Sequence, residues 1–278
     1  MVINKGVLYI VSTPIGNLGD VTYRAVDVLN SVDIIAAEDT RQSKKLLDHY
    51  QIQTKMISYH EHNEKEKSSY LIKQLLDEKN IALISDAGTP CLSDPGSILI
   101  NKCIEQNIKI EWIPGPSAFL GALVLSGMDM SSFRFIGFLS SKSGSRKKEL
   151  IQLREDPNTL IFYESPHRIG KCLMDLKICL GERKVCLARE LTKKFETIYR
   201  GNISDVLDKI EHSPIKGEIV LVVEGQKSKD DWSPLPFDKH LDQVIEITGL
   251  NRKEAIKLVA DMRGLTKSEI YNQLEKEK

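Results

Sequence analysis

Through the first half of the chain, short apolar runs alternate with longer stretches whose apolar residues recur at helical spacing. The runs Leu8–Ser12, Asp33–Ala37, Ile81–Ser85 and Ile110–Ile113 are each four or five residues long and give way to Gly, Pro or Asp within a few positions. Apolarity of that length predicts strands buried on both faces, as in a parallel sheet. Between them, Thr22–Ser31, Arg41–His49 and Ser68–Lys79 predict helices, with Leu71, Leu75 and Leu76 on one face of the last. Strand alternating with helix predicts an α/β domain with a mainly parallel sheet.

The pattern changes in the second half. Strand candidates Phe133–Leu139, Thr159–Glu164, Val185–Arg189, Thr197–Arg200 and Glu218–Glu224 dominate, with fewer helices, which predicts a second α/β domain with a mixed sheet. Helical spacing returns near Phe237. Leu241, Val244 and Ile245 make one stripe, and Ala255, Leu258, Val259 and Met262 make a second. Asn251 with Glu254, and Thr266 with Glu269, have capping-box spacing. The expected division is therefore an N-terminal α/β domain over 1–117 and a C-terminal one over 118–225, then a polar linker over 226–236 and a helical tail over 237–278. Three short helices broken at Gly249 and Gly264 suit a helix-turn-helix unit; they also suit a tail packed on the body.

Composition sets bounds. With 41% hydrophobic and 28% charged residues over 278 positions, the chain reads as a globular protein. The longest apolar stretch, Ala118–Met128, is too short to span a bilayer, so no membrane is expected. Five cysteines form no CxxC pair and no Cys/His metal spacing. Reduced thiols, no metal and a cytoplasmic location follow as expectations, since no signal-peptide layout precedes the first strand. Lys plus Arg equals Asp plus Glu at 39 each. Any RNA-binding surface must then be a local patch.

Three loops share one form, a buried strand running into Gly, Pro, Ser, Thr and Asp. They are Ser12–Asp20, Ser85–Pro90 continuing to Gly96, and Pro114–Ala118. Glycines at strand ends let a ligand approach the backbone, and prolines fix the turns. Three such loops after parallel strands predict one shared crevice. Neither GxGxxG after the first strand nor GxxxxGK[ST] anywhere is present, so a dinucleotide fold and a P-loop are unsupported. Asp86 and Asp94 suit a cationic or hydroxylated ligand better than a polyphosphate.

Charged motifs follow three further strands: Glu38, Asp39 and Arg41; Glu164, His167 and Arg168; and Arg189, Glu190, Lys193 and Lys194. The candidate catalytic residues are Glu38, Asp39, Arg41, His167, Arg168, Glu190 and Lys193. Acidic residues at a helix start also favour the dipole, and His167 stands at an expected helix start, so structural roles remain open for these. The run Lys142-Ser143-Gly144-Ser145-Arg146-Lys147-Lys148 suits a solvated loop preceding a helix; beside an RNA-facing crevice it would grip phosphate and order on binding. Candidate RNA contacts are Lys142, Arg146, Lys147 and Lys148, joined by Arg252 and Lys253 of the tail. No aromatic residue interrupts the basic run, so it should position RNA more than read bases.

These motifs together resemble the tetrapyrrole methylase superfamily, and within it the branch that methylates small-subunit ribosomal RNA. The matching residues include Leu8–Asp20, Ala37–Arg41, Ser85–Pro90, Asp94–Gly96, Pro114–Ala118, Tyr163–Arg168, Ala188–Lys193 and Gly217–Leu221. The match runs from about Gly6 to Gly225. The resemblance implies two α/β domains with S-adenosylmethionine between them, and a homodimer. It also implies methylation of the ribose 2′-hydroxyl of a cytidine in the decoding region of 16S rRNA, within the small ribosomal subunit. Carried over by position, Pro14, Gly16, Asp86, Ala87, Gly88, Pro90, Ser117 and Ala118 would line the cofactor, with Tyr163 and Glu218 bordering its adenine. Two other readings stand beside this one. One is methylation of a corrinoid or porphyrinoid precursor in the same crevice; the other is a non-catalytic ribosome-binding factor.

Overall fold

Side chains along a strand point alternately to opposite faces, so a strand apolar at every position needs cover on both sides. The computed structural model, which describes residues 5–212, 215–226 and 235–276, supplies that cover in its first unit. The elements there are β1 (Val7–Val11), α1 (Tyr23–Ser31), β2 (Ile34–Ala37), α2 (Thr40–His49), β3 (Met56–Ser58), α3 (Glu64–Leu76), β4 (Ile81–Ile84), α4 (Ser97–Glu105) and β5 (Lys109–Ile113). All five strands are parallel, in the order β3-β2-β4-β1-β5.

Leu8, Ile10, Ile34, Ala36, Ile81 and Leu83 pack with Leu71 and Leu75 of α3 and with Leu99 and Cys103 of α4. Their neighbours Val11, Ile35, Ala37, Ala82 and Ile84 pack on the other face, with Ala25 and Leu29 of α1 and Leu47 of α2. The chain therefore leaves β1 toward one face and β4 toward the other, although the two strands are paired. Their C-terminal ends form a topological switch point, the place where open α/β sheets leave a crevice.

Two elements here had no clear signal in the sequence. The edge strand β3 has only three residues, all half-buried, and α4 follows directly on a Gly/Pro-rich loop. Helix α3 starts at Glu64, earlier than its apolar stripe, because its first turn is polar.

The second unit contains α5 (Ala118–Ser126), β6 (Phe133–Phe138), α6 (Ser143–Gln152), β7 (Thr159–Glu164), α7 (Ile169–Leu180), β8 (Lys184–Arg189), β9 (Thr197–Asn202), α8 (Ile203–Glu211) and β10 (Ile219–Val223). The sheet order is β6-β7-β10-β8-β9; β6 and β7 are parallel and the other pairs antiparallel. Every residue of the central β10 is buried. Helices are not scarce in this half, since α6, α7 and α8 all lie between its strands.

The tail forms α9 (Phe237–Thr248), α10 (Arg252–Arg263) and α11 (Lys267–Lys276). The box at Thr266 and Glu269 forms reciprocally, whereas at Asn251 only the cap half forms: Asn251 accepts from Glu254 N–H at 3.0 Å, and the Glu254 carboxylate pairs with Lys148. Instead of standing apart, the three helices share one hydrophobic cluster with the second sheet. Leu241, Val244, Val259 and Leu274 belong to it with Leu150, Phe162, Leu173 and Leu221. Short helices cannot bury an apolar face alone, and this cluster supplies the partner. The chain divides into a unit that runs to Ala118 and takes in Leu191–Lys194, and one from Phe119 to Glu190 that resumes at Phe195. The expected linker over 226–236 lies largely outside the described residues.

The basic run at 142–148 is corrected most sharply. It is the N-terminal part of α6, and Arg146 is buried, its side chain only 2% exposed. Arg146 Nη2 lies 2.6 Å from Asp175 Oδ2 on α7, and its Nε donates to the same oxygen at 2.8 Å. Its Nη1 donates to the carbonyls of Ser140 and Ser141, while Ser143 Oγ donates to Asp175. Arg146 thus ties α6 to α7 and is not an RNA contact. Removing one member of a buried ion pair strands the other. Arg146→Ala should lower unfolding free energy by about 3–5 kcal/mol in urea titrations, and Arg146→Leu with Asp175→Leu should recover most of the loss.

Candidate functional site

The loops after β1 and β4 are bonded to each other at the switch point. Thr13 N–H donates to Gly88 O at 2.8 Å and Gly88 N–H to Thr13 O at 3.1 Å. Thr13 Oγ1 donates to Ser85 O at 3.1 Å, and the hydroxyls of Ser12 and Thr89 lie 3.0 Å apart. Gly88 has φ +78°, a conformation that favours glycine, and a Cβ there would stand 3.8 Å from Pro116 O. Gly115 approaches β1 so closely that its Cβ would come 2.9 Å from Ser12 Cβ. The three predicted loops are therefore neighbours, and they carry Pro14, Gly16, Asp86, Ala87, Gly88, Pro90, Ser117 and Ala118. Gly88 and Pro90 are buried and shape the loop, while Gly16, Asp86 and Ala87 are exposed.

Acidic groups crowd the ends of β2 and β4. Asp39 N–H donates to Asp86 Oδ1 at 3.0 Å, and Asp86 N–H lies 3.4 Å from Glu38 Oε2. Asp39 caps α2 through Arg41 N–H at 2.8 Å and pairs with the Arg41 guanidinium, whose hydrogen bonds hold the Asp39 carboxyl below its usual range. Among the described residues no cation forms an ion pair with Glu38. Burial raises its pKa, and the charges of Asp86 and Asp39 add to the effect, while the Asp86 N–H hydrogen bond and, more weakly, His60 oppose it. Although Asp86 is exposed as a residue, partial desolvation of its carboxyl raises its pKa as well. Asp94 is pushed up to about 6, by burial first and then by the charges of Glu38 and Asp86. Of the expected pair, Asp39 is committed to its helix cap and Glu38 is the carboxylate suited to gain a proton.

The second unit holds the other motifs. Glu164 is buried, and Arg168 donates to its Oε1 from Nε at 2.7 Å and from Nη2 at 2.6 Å. Arg168 also donates to Leu139 O at 3.3 Å. That guanidinium is engaged inside its own unit, which argues against the expected catalytic role; His167 beside it is exposed. Tyr163 is half-buried between the rings of Phe135 and Phe138 at 5.1 and 5.5 Å. Glu190 has φ +52° and closes a local clasp: its N–H donates to Glu218 O and its carboxylate accepts from Glu218 N–H, both at 2.9 Å. A Cβ on Gly217 would overlap that carboxylate. Glu190 and Glu218 thus hold the backbone at the end of β8 and the start of β10. Lys193 belongs to the first unit, and its side-chain stem occupies the space a Cβ on Gly16 would need.

The remaining cations converge on the second unit's surface. Lys148 Nζ pairs with Glu254 Oε1 at 3.1 Å, which sets α6 beside the start of α10. Exposed Lys142, Arg252 and Lys253 and half-buried Lys147 and Lys148 lie on these two helices and the α6 cap. Among the described residues no group of three or more His, Cys, Asp and Glu is arranged to hold a metal, and no helix is long and apolar enough to cross a membrane.

Residues 7–207 match the family model Tetrapyrrole (Corrin/Porphyrin) Methylases. The chain belongs to the tetrapyrrole methylase family. This methylase is 46% identical to ribosomal RNA small subunit methyltransferase I of Halalkalibacterium halodurans over 97% of its own length and 94% of that protein. It is 47% identical to the protein of that name from Vibrio cholerae, over 95% and 93% of the two chains, and 44% identical to that from Escherichia coli O157:H7, over 96% and 94%. By these relatives it is a methyltransferase. Among solved structures, diphthine synthase superposes with a TM-score of 0.62 at 12% identity over 81% of this chain and 92% of that one. Cobalt precorrin-4 methyltransferase gives 0.56 at 16% over 78% and 94%. These two likenesses establish the fold alone.

Sequence reasoning did not single out His60, which follows β3 and lies close enough to Glu38 to influence its charge. The only signal was the polar run His60-Glu61-His62-Asn63 after an unrecognised strand.

The crowded acids give a stability prediction. Asp94 binds a proton more tightly when folded, at about 6, than at its ordinary value of 3.8. Its ionisation therefore destabilises the fold, fully above pH 6 and not at all below pH 3.8. Asp94→Asn should melt several degrees higher than the parent at pH 8, with the gap closing as pH falls toward 4. A gap independent of pH would contradict the crowding.

Proposed function

We propose that this methyltransferase uses S-adenosylmethionine to methylate the ribose 2′-oxygen of a cytidine in the decoding region of 16S rRNA, acting on the small ribosomal subunit in the cytoplasm as a homodimer. The observation that carries this reading is identity of 44–47% along nearly the whole chain with proteins named for small-subunit ribosomal RNA methylation. The helical tail lies within that match, which a substrate confined to a small macrocycle would not require.

The first unit's loops fit the cofactor. Gly88, at φ +78°, allows close approach to backbone, and Asp86 and Asp94 favour a ligand bearing a sulfonium and an ammonium. Pro14, Gly16, Ser117 and Ala118 would line the same crevice. S-adenosylmethionine, when bound, supplies an activated methyl group on a positively charged sulfur.

The chain's own task is alignment and proton removal. Holding the hydroxyl in line for attack accounts for about 7–11 kcal/mol of barrier in favourable cases. Glu38 is the base we assign, because it is partly buried, carries a raised pKa and lies in no ion pair among the described residues. The ribose oxygen gains the methyl, Glu38 takes the hydroxyl proton, and the broken bond's electron pair stays on sulfur. Lys142, Lys147, Lys148, Arg252 and Lys253 would grip phosphates and set the substrate's register without reading bases. Helix α5 supports a dimer: it is apolar nearly throughout yet leaves Leu120, Val124 and Leu125 exposed.

Two measurements test the reading. Labelled S-adenosylmethionine is offered to small subunits that lack the modification, and the product is mapped by mass spectrometry. A 2′-O-methylcytidine in the decoding region is expected; absence of transfer to subunits and to free RNA would overturn the assignment. Replacing Lys147, Arg252 and Lys253 by Ala should raise KM for subunits and flatten its salt dependence by about 0.7–0.9 in slope per lost phosphate contact, leaving kcat near its parent value. An unchanged KM and slope would move the RNA surface elsewhere.

A further inference from the structure

The ladder between β2 and β3 runs one residue past β3, because Tyr59 N–H donates to Ala37 O at 2.8 Å. His60 comes next and stands beside the acids that leave β2. Its carbonyl accepts from Asn63 N–H and Glu64 N–H, both at 2.9 Å, as the chain turns into α3. Its own N–H donates to Asn63 Oδ1 at 2.9 Å.

That last bond fixes which end of the Asn63 amide faces the imidazole. The amide nitrogen lies 3.2 Å from His60 Nε2 and 3.4 Å from both Ser58 O and Ser58 Oγ. An amide NH2 only donates, so Nε2 accepts and the proton of the neutral ring sits on Nδ1. Nδ1 is shielded from solvent and bonds to no group among the described residues. A buried N–H without an acceptor is uncommon in a settled core and calls for a partner in some working state. The charged groups around Glu38 are Asp39 beside it, Asp86 and Asp94 from the β4 loop, and His60 from β3. Asp86 N–H already donates to Glu38 Oε2 at 3.4 Å, and among these side chains His60 alone offers a further donor.

We propose that His60 is a positioning residue for the proton-accepting carboxylate: its Nδ1–H donates to Glu38 and anchors one carboxylate oxygen while the other meets the ribose hydroxyl. This rests on the reading of Glu38 as the base. Asn63 sets the tautomer, so the pair His60–Asn63 acts as a unit behind Glu38.

The test combines nitrogen-15 NMR of the full chain with kinetics of four variants. In the parent, His60 should show the Nδ1–H tautomer. His60→Ala should lower kcat by about 10–100-fold, with KM for subunits and for S-adenosylmethionine nearly unchanged and the acidic limb of the pH–rate profile moved upward. His60→Asn, whose amide nitrogen falls near Nδ1, should restore most of the rate; His60→Gln, which reaches toward Nε2, should not. An Nε2–H tautomer would overturn the proposal. So would a His60→Ala variant that keeps its kcat and pH profile, or equal rescue by Asn and Gln. Glu38→Gln separates the two claims: if it stays active, the base assignment fails and this inference with it. If Glu38→Gln is inactive while His60→Ala is unimpaired, only the role of His60 fails.

Discussion

The structure turns on how the chain leaves two paired parallel strands. From β1 it passes to the face covered by α1 and α2, and from β4 to the face covered by α3 and α4. The two loops therefore diverge at the strand ends, which is where an open α/β sheet presents its loops to a ligand. The reciprocal bonds between Thr13 and Gly88, and the hydroxyl contact of Ser12 with Thr89, then hold those loops at a fixed spacing. A site built on strand ends inherits the rigidity of the sheet, which alignment of a weak oxygen nucleophile demands.

The same geometry creates an electrostatic cost. Glu38, Asp39, Asp86 and Asp94 all issue from the ends of β2 and β4, where helix and sheet exclude part of the solvent. One acid is neutralised locally, Asp39 by Arg41, and the others carry raised pKa values. Perturbed carboxylates of this kind are less stabilising than ordinary surface ones and more useful to chemistry. A cationic ligand is the natural complement, and a polyphosphate is not.

Much of this was legible in the sequence. Each predicted strand lies within one or two residues of the observed one. The central strands β2, β4 and β10 were plain because burial on both faces demands apolar residues at consecutive positions, although the edge strands β5, β6 and β9 are only partly covered. The Gly/Pro loops were readable for a related reason, since tight turns at strand ends restrict residue choice. What was hidden depends on pairings between distant residues. Arg146 looked like one more cation in a basic run, and only Asp175, on another helix, makes it part of the core. Arg168 looked available until Glu164 was seen to hold it. The apolar stripes of the tail were plain, yet which surface they cover was not, because amphipathicity names a face and no partner. His60 escaped notice since three half-buried residues of an edge strand carry almost no pattern.

On the proposed function, S-adenosylmethionine sits in the switch-point loops of the first unit. Hydrogen–deuterium exchange of the full chain, with and without S-adenosylmethionine, tests it most directly. Slowed exchange in Thr13–Gly19, Ser85–Gly88 and Gly115–Ala118 is expected. Binding that leaves those three segments unchanged, or no binding at all, would contradict the account.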